Sequence, residues 1–116
     1  MSRRCYTEIR LSVLLRNLKI YKSSISDSNE IMAVVKADAY GHGDRAVAKL
    51  LSDHGIHYFA VSNIDEAIHI REAGAEGQIL ILGYTPIERA EKLIQYDITQ
   101  ALLSEDYGNG LSATIY

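Results

Sequence analysis

Ala33-Val34-Val35-Lys36-Ala37-Asp38-Ala39-Tyr40-Gly41-His42-Gly43 decides how this chain is read. An apolar run beginning at Ile31 ends at one lysine, and a tyrosine and two glycines follow at once. The run reads as a buried strand. Gly41 and Gly43 let the backbone turn tightly beyond it. Lys36 then stands where the strand leaves the core, which makes its amine a candidate Schiff-base nucleophile. The plainer reading is a lysine whose stem packs while its head reaches solvent. Tyr40 is either a hydroxyl donor to a phosphate oxygen or a loop tyrosine packed on the sheet. Asp38 is either a charge partner of Lys36 or, the plainer reading, a solvated loop residue, and His42 reads as a wall of a pocket.

Outward from this stretch, the pattern alternates strands with capped helices. Tyr6 to Leu11 is expected as a short opening strand. Ser12 is expected to cap a helix whose inner face carries Leu14, Leu18, Tyr21 and Ile25. Ser26-Asp27-Ser28-Asn29 is a polar turn, and Ile31–Val35 is expected to be buried on both faces. Asp44 is read as the cap of a second helix with Val47, Leu50 and Leu51 inward, ended by Gly55. Tyr58–Val61 is the next strand. Asn63 and Glu66 are spaced as a capping box for a helix running to Gly74. Ile79–Leu82 is a third buried strand. Thr85-Pro86 opens another helix with proline in its first position, with Leu93 and Ile94 inward. Ile98–Leu103 is a fourth strand, and the last residues read as a chain cut soon after it.

Strands ending at Lys36, Val61, Leu82 and Leu103, each separated by one helix, imply an α/β fold with a parallel sheet. An open doubly wound sheet and part of a (β/α)8 barrel both fit. A whole barrel takes about 250 residues, and the chain has 116. In either architecture, ligands bind at the C-terminal ends of the strands.

Composition narrows the functional classes. The chain is 47% hydrophobic and 23% charged, with a net charge of −3, which gives no reason to expect nucleic acid. The lone Cys5 cannot form an internal disulfide and is read as a bystander in a reducing, cytoplasmic setting. No apolar stretch approaches the roughly 18 residues of a membrane span. His54 and His57 lack the partners of a zinc set, and His69 reads as a surface residue. Gly-His-Gly is no nucleotide fingerprint, and no hydrolase motif is present.

The string A-V-V-K-A-D-A-Y-G-H-G resembles the pyridoxal-phosphate lysine segment of the alanine racemase family. Tyr6-Thr7-Glu8-Ile9 with Leu15 and Asn17 is similar to that family's opening strand and first helix. Phe59-Ala60-Val61, Asp65-Glu66-Ala67 and Arg71-Glu72-Ala73-Gly74 are similar to its second βα unit, and Ile79-Leu80-Ile81-Leu82-Gly83 to its third strand. The resemblance runs to about Ser104. It implies that residues 1–116 are the N-terminal portion, about four βα units, of a (β/α)8 TIM-type barrel, with the remaining barrel and a C-terminal β domain not included. It implies that Lys36 is the Schiff-base lysine for pyridoxal 5'-phosphate and that Tyr40 contacts the cofactor phosphate, with Val34, Leu80 and Leu82 as an apolar wall.

The implied activity is racemisation of a small amino acid, alanine or serine, in a homodimer. The substrate amine displaces Lys36 from the cofactor, and the freed lysine takes or returns the α-proton on one face. The opposite-face base, a tyrosine from the partner subunit's β domain, matches no residue here, so the chain by itself is expected to be inactive. Two other readings stand beside this one. The first is a non-catalytic pyridoxal-phosphate homeostasis module, whose lysine segment differs from this string. The second is an inert barrel remnant.

Overall fold

A computed structural model describes residues 5–115. Four parallel strands lie in the order β1-β2-β3-β4: Met32–Val34, Tyr58–Val61, Gln78–Ile81 and Thr99–Gln100. The helices are α1 (Leu11–Ser23), α2 (Lys36–Tyr40), α3 (Asp44–Asp53), α4 (Ile64–Glu72), α5 (Ala90–Gln95) and α6 (Glu105–Ile115). A short 3-10 turn, Ile87–Arg89, precedes α5.

Sequential order decides between the two architectures. A doubly wound sheet reverses its strand order to place helices on both faces; this one never reverses. The fold is therefore the first part of a (β/α)8 barrel, about four βα units laid side by side. The molecule is a slab 21 Å thick, room for a sheet and one helical layer.

The register shows which face the helices cover. Ala33, Phe59 and Ile79 form one row, and Val61 and Ile81 lie two residues further on the same side. Phe59, Val61, Ile79 and Ile81 are fully buried. They pack with Leu18, Val47, Leu51, Ile64, Ile70 and Leu93 from the helices. Burying each such large apolar side chain stabilises the fold by about 1.5–3 kcal/mol. The opposite row contains Met32 and Val34, which are 44% and 42% exposed. The expectation that this first strand is buried on both faces is thus corrected. Nothing among the described residues covers its second face.

The structure corrects other boundaries. Tyr6 to Leu11 forms no strand, because no neighbouring strand offers it a hydrogen-bond ladder. Helix α1 starts at Leu11, with Arg10 in the cap position and no side-chain cap, so Ser12 lies inside the helix. Leu14 and Leu18 face inward as expected, whereas Tyr21 and Ile25 are exposed. Gly55 and Gly74 follow their helices as expected. Pro86, not Thr85, caps the 3-10 turn. Thr85 is fully buried because its hydroxyl donates to Gln100 Oε1 instead. Leu93 is buried, but Ile94 is 59% exposed.

The fourth strand shrinks to Thr99–Gln100 at the sheet edge, and the last described residues form α6. Two glycines hid that helix from a propensity reading. They serve close packing, since a Cβ on Gly110 would come within 2.8 Å of Ile87 Cδ1.

At the N-terminal end of the sheet, Arg71 ties two loops together, the one after α4 and the one after α5. Its guanidinium donates to the carbonyls of Ala75, Gly77, Tyr96 and Asp97 at 2.8–3.0 Å. Burial holds its pKa below the usual value, with the Asp97 charge opposing. No helix among the described residues is long and apolar enough to cross a membrane. Arg71→Lys keeps the charge but cannot reproduce the planar fork. It is expected to lower the unfolding free energy by about 2 kcal/mol, roughly two lost hydrogen bonds, measured by urea denaturation.

Candidate functional site

The C-terminal ends of the four strands form the candidate site. Lys36 lies one residue past the end of β1, after Val35, and is half-buried. Among the described residues, its amine takes no hydrogen bond and no ion pair. Val34 pairs with Ala60, and Ala60 with Leu80, so these residues share one row on the uncovered face. Leu82, two residues beyond Leu80, is 44% exposed at the same end.

The backbone beyond Lys36 winds the wrong way for L-residues. Ala37, Asp38, Ala39 and Tyr40 have φ of 51°, 57°, 54° and 56°, so α2 is a left-handed turn. Left-handed winding costs roughly 1–2 kcal/mol per residue. It persists only where surrounding contacts over-determine it. Here the contacts are visible. Gly41 N–H donates to Ala37 O, and Gly43 N–H to Asp38 O. His42 Nδ1 is 3.0 Å from Ala39 O, a bond in which the ring donates. The Ala39 side chain is buried. Gly41 and Gly43, with φ of 88° and 90°, complete the reversal into α3.

Asp38 is exposed, as expected, but it also has a structural partner. Its Oδ1 accepts from Asp44 N–H at 2.9 Å and so caps α3 from a distance. Gly43 occupies the cap position, which corrects the assignment of that role to Asp44. Asp44 is instead the buried first residue of the helix, where a negative charge suits the helix dipole. His69 Nδ1 lies 3.0 Å from its Oδ2, so His69 is a partly exposed residue with a buried partner. His42 lies beside a cavity of about 220 Å³ bounded by Leu14, Ala39 and Val47, on the helix side of the turn.

Tyr40, at the end of the turn, is 60% exposed, and its hydroxyl has no partner among the described residues. The rim beyond it is cross-linked. Glu66 accepts from Ala37 N–H and Ser62 N–H. Gln100 Nε2 donates to Gly83 O at 2.6 Å. Tyr107 O–H donates to Thr85 O and accepts from Thr85 N–H. Sequence reasoning placed Glu66 in a capping box but not at Ala37, and it missed Gln100 and Tyr107. The Asn63-to-Glu66 spacing was the only signal for the first; the other two carried none.

A family model described as "Alanine racemase, N-terminal domain" matches residues 9–114. The serine/alanine racemase of Enterococcus gallinarum is 43% identical over 110 residues, 95% of this chain and 16% of that protein. Alanine racemase 1 of Clostridium acetobutylicum is 42% identical over 107 residues, 92% of this chain and 28% of that protein. The alanine racemase of Clostridium difficile 630 in complex with cycloserine superposes with a TM-score of 0.87 and 39% identity. That match covers 91% of this chain and 29% of that one. The chain thus spans less than a third of the length of each.

Asp38→Asn keeps an acceptor oxygen and tolerates left-handed backbone; its unfolding free energy should stay within about 0.5 kcal/mol of the parent. Asp38→Ala removes the α3 cap and is expected to cost about 1 kcal/mol. Urea unfolding of both variants checks the pair.

Proposed function

We propose, from the premise that this chain belongs to the alanine racemase family, that it is the cofactor-holding part of a pyridoxal-phosphate-dependent amino-acid racemase. Lys36 is the Schiff-base amine in this reading, and Tyr40 is the donor to the cofactor phosphate. One observation carries it: an unpartnered primary amine stands at the C-terminal end of a parallel strand, beside an apolar row.

The residues present suit the group. An aldehyde needs a free amine, and a phosphate needs donors such as the unpartnered Tyr40 hydroxyl. A planar ring needs an apolar wall, for which Val34, Leu80 and Leu82 are available. When bound, pyridoxal phosphate supplies the electron sink that makes the α-proton of a linked amino acid removable.

Lys36 Nζ, once exchanged for the substrate amine, takes or returns the α-proton on its own face. The left-handed turn fixes the backbone beside that amine. Val34 and Leu80 are the apolar wall on one side of the reacting atoms in this reading. Inversion also requires a base on the other face. That base is assigned to no residue of this chain; the family resemblance points to a tyrosine of a partner subunit. The substrate is a small amino acid, alanine or serine.

The test is reductive trapping. Pyridoxal phosphate followed by borohydride should place the label on Lys36 in the parent, read by peptide mass spectrometry, and Lys36→Ala should lose that adduct. Label on another side chain would overturn the assignment. Tyr40→Phe is expected to weaken cofactor affinity about tenfold, the weight of one hydrogen bond to a charged oxygen, read by absorbance titration. Conversion of L-alanine and L-serine, followed separately in the protein that carries this chain, decides the substrate; inactivity toward both with cofactor bound would overturn the racemase reading.

A further inference from the structure

We propose that Glu66 is the positioning residue for Lys36. Its one carboxylate clips together the backbone ends of β1 and β2 and thereby sets the direction in which the lysine leaves the sheet. The proposal rests on Lys36 being the amine that takes the cofactor.

The hydrogen-bond ladder between β1 and β2 continues through Val35 N–H to Ala60 O and then stops. Val35 has φ −119° and ψ 25°, and Ala37 has φ 51° and ψ 50°. Lys36 therefore sits between residues of opposite hand. At such a reversal, the next amide faces away from the ladder and away from its own turn. Ala37 N–H is that amide. Among the described residues it finds no backbone acceptor.

Glu66 Oε2 accepts from it at 2.6 Å, across 29 residues of sequence. Glu66 Oε1 accepts from Ser62 N–H, just past β2, at 2.8 Å. Two donors thus converge on the two oxygens of one carboxylate. A glutamine can satisfy only one of them, since its NH2 would face the other N–H. An aspartate is one methylene shorter.

The capping role of α4 is carried elsewhere. Asn63 Oδ1 accepts from Glu66 N–H at 2.9 Å. A reciprocal capping box would send the glutamate back to the Asn63 amide; here it goes past that amide to Ser62 and to the lysine's neighbour. Helix capping and strand clipping therefore belong to different side chains, and substitution can separate them.

The full chain is compared as parent, Glu66→Gln and Asn63→Ala. Two readouts are taken: amide hydrogen exchange at Ala37 by NMR, and the initial rate of pyridoxal-phosphate condensation at Lys36, trapped with borohydride and located by mass spectrometry. Glu66→Gln is expected to lose about tenfold in Ala37 protection and about tenfold in Lys36 labelling rate, the weight of a charge-assisted bond. Asn63→Ala, which weakens the same helix, is expected to leave both near the parent's values. Parent-like exchange or labelling in Glu66→Gln would overturn the proposal, as would equal losses in Asn63→Ala. If the parent itself takes no label at Lys36, the cofactor reading fails and the positioning role falls with it. The exchange data would still report whether the Glu66–Ala37 bond exists.

Discussion

Between Val35 and Ala37 the backbone changes hand, and the C-terminal end of the sheet is arranged around holding that reversal. Four successive non-glycine residues in the left-handed region carry a cost on the order of several kcal/mol. No single contact offsets it. The Glu66 carboxylate fixes the entry at Ala37, and the Asp38 carboxylate joins the middle to α3. The buried Ala39 side chain anchors the turn to the core, and the two glycines close it. A turn tied at so many points is stiff, and the residue at its start inherits that stiffness. Strain of this kind gathers where a side chain must be aimed.

The second constraint is the sheet's one-sided cover. Four parallel strands in unbroken order place every connecting helix on one face. Phe59, Val61, Ile79 and Ile81 fill that face completely. The other face presents Met32, Val34 and Leu82 at 42–44% exposure. In a parallel barrel these positions point to the interior, and ligands gather at the strands' C-terminal ends. The apolar side chains of the uncovered face and the unpartnered amine of Lys36 thus belong to one end of one surface. The rim contacts of Glu66, Gln100 and Tyr107 brace that end from β1 across to α6. At the opposite end of the sheet, Arg71 makes a comparable clamp from backbone carbonyls alone. The two ends are therefore stabilised by different chemistry. The lower end needs only a donor fork, while the upper end is held by a carboxylate, a side-chain amide and a phenol hydroxyl near the Lys36 amine.

The alternation of apolar runs with capped helices, and the lysine ending the first run, were legible without coordinates. Each depends on local periodicity or on turn residues such as Gly55 and Gly74, and these act over a few positions of chain. The string around Lys36 likewise identified the family before any geometry was known. Tertiary structure decided the rest, because the deciding partners are distant in sequence. Tyr6 to Leu11 has strand-like alternation, but a strand exists only beside another strand. Thr85 has the look of a helix cap, yet its hydroxyl finds Gln100. The glycines of α6 argue against a helix until Ile87 is seen packed against Gly110. Asp38 and Glu66 show the difference most clearly: the sequence marked the first as a loop residue and the second as half of a capping box, but only folding brought one to the Asp44 amide and the other to the amide beside Lys36. Local preference selects the elements; which donors are left without a neighbour, and which carboxylate reaches them, is settled only when the strands lie side by side.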